Sequence, residues 1–134
     1  MRSDRDRAGL PDAYPLRDEL EFTPRETAAL LGAGKVVLLD CRTNEEYAFC
    51  HIPGSIHIPL HEIESRHDEI EVSEGSELAV VCHMGVRSMR ATLALRAMGF
   101  ESCRSVAGGI EAWSLGVDPG VARYERSGGA ISRI

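Results

Sequence analysis

Two apolar runs with no polar interruption, Val36-Val37-Leu38-Leu39 and Leu78-Ala79-Val80-Val81, constrain this chain more than any other feature. A strand with one solvated face alternates apolar and polar residues; a strand covered on both faces has no need to. Each run suits a strand and is far too short to span a bilayer. Both end at residues that carry chemistry, Asp40 after the first and Cys82 after the second. Ligands of parallel sheets bind at the carboxyl ends of the strands.

The segments between and around these runs read as helices. Thr23-Pro24-Arg25-Glu26 combines an N-cap threonine, a proline at the first helical position and a glutamate that closes a capping box. That helix should stop at Gly32 or Gly34. Asn44 to Phe49 reads as a short helix, Ser55 to Ile58 as a short strand, and residues 60–77 as polar with weak helical periodicity. Met89 to Met98 forms a further helix ending at Gly99, Cys103 to Val106 a strand, and Gly109 to Leu115 a last helix. Alternation of strands and helices predicts an α/β domain with a mostly parallel central sheet flanked by helices. Polar, proline-containing ends predict a flexible arm over residues 1–19, a domain over 20–118, and a tail over 119–134 whose end is disordered.

The loop Cys82-His83-Met84-Gly85-Val86-Arg87-Ser88 joins the second apolar run to a helix. A thiol at that junction meets unpaired backbone N–H groups and the positive end of the helix dipole, which stabilise a thiolate and any anion beside it. Arg87 adds a full positive charge. Gly85 permits a tight turn, and Ser88 reads as a helix N-cap or loop brace. His83 invites a Cys–His dyad, but neighbours on a ring of inward-pointing amides project outward, so it is expected to shape the pocket mouth. Met84 and Val86 make that mouth apolar. Asp40 and Arg42 flank the site from the neighbouring strand, with Arg42 expected to pair with a carboxylate such as Glu46. Trp113 is expected in the core.

Composition narrows the remaining classes. With 43% hydrophobic and 27% charged residues the chain reads as an ordinary soluble domain. A net charge of −6 and the lack of a basic stripe argue against nucleic acid. The N-terminus lacks the apolar core of a secretory signal, which makes the cytoplasm the expected location. Cysteines at 41, 50, 82 and 103 form no CxxC pair and are expected as free thiols, with Cys41 and Cys103 acting as small buried hydrophobes. Without CxxC or HExxH a metal site is not expected, and no cofactor is implied.

Beyond the loop, further segments align with one family. Cys82-x-x-Gly85-x-Arg87-Ser88 resembles the active-site loop of the rhodanese-like sulfurtransferases. Asp40-Cys41-Arg42 resembles their Asp-x-Arg strand end, and Glu46-Tyr47 with His51-Ile52-Pro53-Gly54-Ser55 resembles their His-Ile-Pro-Gly-Ala signature. Gly99-Phe100, Gly108-Gly109-Ile110 and Ala112-Trp113 resemble the closing segment, and Val117-Asp118-Pro119 through Arg123-Tyr124 the ending of a single-domain bacterial subgroup. The sequence departs from the pattern at Cys50, usually glycine, and at Cys41, usually aliphatic. The resemblance covers residues 20–118 and implies a three-layer rhodanese-like fold.

It also implies a metal-independent sulfurtransferase in which Cys82 takes sulfane sulfur from a donor such as thiosulfate or a persulfide. The sulfur then passes to a thiophilic acceptor, a small molecule or a sulfur-relay protein. Composition sets no oligomeric state. The competing reading is a non-catalytic rhodanese-type module that binds a partner or senses oxidants through Cys82. A cysteine phosphatase is the weakest reading, because related phosphatases use a Cys-x5-Arg loop, whereas residues 83–86 leave this loop one residue shorter.

Overall fold

The two uninterrupted apolar runs are strands β2 (Val36–Asp40) and β4 (Glu77–Val81), side by side at the centre of a parallel sheet. The computed structural model describes residues 7–134. Three shorter strands, β1 (Glu21–Phe22), β3 (Ile56–His57) and β5 (Arg104–Val106), complete a five-stranded sheet of order β1-β5-β4-β2-β3 in which every pairing is parallel. Helices α1 (Pro24–Gly32), α2 (Asn44–Phe49), α3 (Ile63–Arg66) and α4 (Val86–Ala97) lie in the crossovers, and α5 (Gly109–Gly116) follows the last strand of the sheet. The expected α/β architecture is therefore the observed one.

Side chains alternate along β2 and β4 between two apolar layers. Leu39, Cys41, Val80 and Cys82 pack with Ala91 and Leu95 of α4, while Leu38, Ala79 and Val81 pack with Ile110 and Trp113 of α5. All these residues are nearly inaccessible, as continuous apolarity requires.

Local differences from the sequence reading have physical causes. β1 spans two residues, too few to leave a periodic signal. Residues 60–69 form 3-10 turns at Leu60–Glu62 and His67–Glu69 around the single turn of α3, consistent with their weak periodicity. α4 begins at Val86, earlier than the expected Met89, because Gly85 at φ +103° supplies the N-cap conformation. Ser88 is thus inside the helix and is not its N-cap.

The described residues near both ends make contacts with the domain. Residues 1–6 of the expected arm lie outside the described residues; the segment after them runs along α5, with Gly9 against the backbone of Ala112 and Gly116. Arg7 donates to the Tyr14 carbonyl (2.6 Å), and Tyr14 donates to Glu21 (2.5 Å). At the other end, β6 (Tyr124–Ser127) and β7 (Ala130–Arg133) pair as an antiparallel hairpin. Gly128 and Gly129 between them both have positive φ, as a two-residue turn matched to strand twist demands. Tyr124, 1% exposed, anchors the hairpin to the domain.

Candidate active site

The β2–β4 register, with Asp40 opposite Val81, brings the two strand ends together at the carboxyl edge of the sheet. Cys82 follows β4 directly. The Gly85 amide donates to Cys82 Sγ at 3.0 Å, and Ser88 Oγ lies 3.2 Å from the same sulfur. That second bond runs from S–H to oxygen in the thiol and from O–H to sulfur in the thiolate. Ser88 Oγ in turn bonds Ser105 Oγ at 2.7 Å, so the brace reaches β5. Ser88, Ser105 and Cys82 are all buried.

The backbone of the loop is clamped from α5. Ile110 N–H donates to the Cys82 carbonyl (2.8 Å) and Glu111 N–H to that of His83 (3.1 Å). The approach is possible because Gly109 has no side chain: a Cβ there would stand 2.5 Å from the Cys82 carbonyl oxygen, and φ is +61°. Met84 and Val86 are 57% and 73% exposed, giving the loop an apolar rim.

Arg87 does not project freely into the mouth. It grips Glu46 with two bonds, Nη1 to Oε1 at 2.6 Å and Nη2 to Oε2 at 2.9 Å. Glu46 is buried at the start of α2, where it closes a capping box with Thr43 and also accepts from Tyr124 Oη at 2.7 Å. Burial alone pushes its carboxyl up, but the bonds from Arg87 and Tyr124 reverse this and hold it well below the usual carboxylate range. The bonds to Glu46 raise the Arg87 guanidinium, which lies within electrostatic range of both Cys82 and Cys41.

The expected Arg42–Glu46 ion pair is not formed. Arg42 pairs instead with Asp40, Nη2 to Oδ2 at 2.7 Å and Nε to Oδ1 at 2.9 Å, both residues fully buried. Its remaining donors reach the Cys50 and Glu46 carbonyls and Tyr124 Oη. Proximity decides the exchange: Asp40 is two residues away on the same strand end, whereas the Glu46 carboxylate faces Arg87. Asp40 and Arg42 therefore brace the site from behind. His83 also turns away from the sulfur; its ring stacks on Tyr124 at 4.0 Å, and Nε2 bonds the Tyr124 carbonyl at 3.0 Å. Burial lowers its basicity. The dyad arrangement is absent.

Glu46 and Tyr124 are the site residues that sequence reasoning undervalued. The Thr43-x-x-Glu46 spacing is a capping-box signal that fixes Glu46 at a helix start, one turn from the strand end. For Tyr124 the only signal was the likeness of the tail to one subgroup. Among the described residues no three His, Cys, Asp or Glu side chains converge as a metal site needs, and no helix is long and apolar enough to cross a membrane.

A cysteine thus stands at the carboxyl end of a central parallel strand, at a helix start and within electrostatic range of a fixed guanidinium. This chain belongs to the rhodanese-like domain family, whose model matches residues 23–115. It is 36% identical over 106 residues to the adenylyltransferase and sulfurtransferase uba4 of Ogataea parapolymorpha, covering 78% of this chain and 27% of that protein. It is 33% identical over 100 residues to the human thiosulfate:glutathione sulfurtransferase, covering 66% of this chain and 87% of that protein. The solved structure of the human single-domain sulfurtransferase TSTD1 superposes with a TM-score of 0.62 at 31% identity, covering 69% of this chain and 93% of that one.

Proposed function

We propose that this protein is a sulfurtransferase that carries sulfane sulfur as a persulfide on Cys82. The observation that carries the reading is the seat of Sγ, between the Gly85 amide and the Ser88 hydroxyl at the end of β4. Both groups can donate to an ionised sulfur. In the first half-reaction the Cys82 thiolate attacks the sulfane sulfur of the donor. A bond forms between Sγ and that sulfur, the donor S–S or S–SO3 bond breaks, and the electron pair leaves with a thiolate or sulfite. In the second, an acceptor thiolate attacks the outer sulfur and Cys82 departs as thiolate.

The ion pair shapes donor choice. Because the Arg87 charge is balanced by Glu46, the mouth offers little net attraction to doubly charged thiosulfate. Its apolar rim suits a singly charged persulfide on a small thiol or on a protein of a sulfur relay. Turnover on a low-molecular-weight persulfide should therefore exceed that on thiosulfate; a strong preference for thiosulfate refutes this specificity.

The central test is mass spectrometry after donor treatment. Cys82 should gain one sulfur, about 32 Da, and Cys82→Ser should gain none there and transfer none. Unchanged transfer by Cys82→Ser rejects the assignment.

A further inference from the structure

Cys41 is a second thiol that the reaction above leaves idle. It continues β2 one residue past Asp40, as Cys82 continues β4 past Val81, and Asp40 and Val81 are register partners. Its amide donates to the Val81 carbonyl at 3.0 Å, so the ladder persists to this point. Leu39 and Val80 are also partners and face the same layer as Cys41 and Cys82. The two cysteines are thus neighbours across adjacent parallel strands, with side chains on one face of the sheet. Adjacent strands lie about 4.8 Å apart, inside the range of about 4.4–6.8 Å that a disulfide spans between Cα atoms.

Cys41 forms part of the wall of a cleft of 560 Å³ together with Leu60, Ile63, Arg87, Ala91 and Met98. Both cysteines are free thiols. Burial, then the neighbouring sulfur of Cys82, pushes the Cys41 thiol far up, which keeps it protonated and slow while acceptors compete. An aliphatic residue at this position would fill the same space without this chemistry.

We propose that Cys41 is an internal resolving thiol for the Cys82 persulfide, closing a Cys41–Cys82 disulfide and releasing the carried sulfur as hydrosulfide when no acceptor arrives. This rests on the reading of Cys82 as the persulfide carrier. Cys41 sulfur attacks Cys82 Sγ; the new S–S bond forms as the bond from Sγ to the outer sulfur breaks. The Cys41 proton and the electron pair of the broken bond go to the departing sulfur. The Cys41 sulfur is oxidised from thiol to disulfide as the outer sulfur is reduced to hydrosulfide, while Cys82 Sγ keeps its oxidation level, so no external oxidant enters. A reducing thiol or dithiol reopens the bridge by exchange and restores the starting enzyme.

The test loads the full chain with a low-molecular-weight persulfide, removes the donor, and follows intact mass and sulfide with no acceptor present. Wild type should lose the added sulfur, end about 2 Da below the reduced mass, and release one equivalent of sulfide. A non-reducing digest should then show the Cys41 and Cys82 peptides joined. Cys41→Ser and Cys41→Val, both close in volume, should keep the persulfide on the order of tenfold longer and form no bridge. If all forms acquire the persulfide but wild type and both variants lose it at one rate with no joined peptide, the inference fails while the proposed function stands. If neither wild type nor the variants ever acquire sulfur at Cys82, the underlying function fails first.

Discussion

Replacing Glu46 by glutamine breaks the ion pair that fixes Arg87. The change keeps the shape but removes the charge, and turns one acceptor toward Arg87 or Tyr124 into a donor. Breaking a buried ion pair by removing one partner costs about 3–5 kcal/mol. Arg87 is 22% exposed and can swing toward water, which reduces the loss to about 2–3 kcal/mol. With an unfolding entropy of about 2.1 cal/mol/K per residue, a chain of this length should melt roughly 7–11 °C lower. The sign of the pH dependence follows from the depressed Glu46 carboxyl. Its stabilisation is complete above the ordinary carboxylate value of about 4.3 and is lost as pH falls toward the lower folded value. The gap between wild type and Glu46→Gln, measured by calorimetry, should be constant from about pH 8 to 5 and narrow below about pH 4. A gap under about 3 °C at neutral pH, or one that widens in acid, refutes the reasoning.

Other substitutions probe the remaining contacts. Tyr124→Phe removes the hydroxyl shared by Glu46 and Arg42 and should destabilise the domain by about 1–3 kcal/mol, read by denaturant midpoint at unchanged slope. Gly109→Ala meets both a positive φ and the Cys82 carbonyl; a loss of about 3 kcal/mol or more, with slower sulfur loading, is expected from melting and single-turnover assays. For His83 the depressed basicity means the unfolded chain binds more protons near pH 6, so stability falls as pH drops below about 6.5. His83→Phe should flatten the melting-temperature profile between about pH 7 and 5, and an unchanged slope would exclude His83 as its source.

What could be read beforehand follows the physics of each element. β2 and β4 were legible because burial on both faces leaves uninterrupted Val, Leu and Ala, and the loop after β4 was legible because Cys, Gly, Arg and Ser stand at a strand–helix junction. The partner of Arg42 was not legible, since the choice between Asp40 and Glu46 depends on where Arg87 reaches from the start of α4. Nor was the hairpin: β6 carries Tyr-Glu-Arg-Ser, whose only buried residue is Tyr124, and a single anchor makes no pattern. The contact made by the first described residues leaves no sequence signal for a related reason. Gly9 meets α5 backbone to backbone, and small-residue contacts leave no hydropathy signal.

The deep anchoring of Tyr124 bears on where the working unit stops. The family match closes at residue 115, yet the phenol that Arg42 and Glu46 share enters from nine positions later. A protein cut after residue 115 would keep every strand of the central sheet and Cys82 while opening a hole beneath the Arg42 guanidinium. Such a fragment would carry the right signature over an unsupported floor.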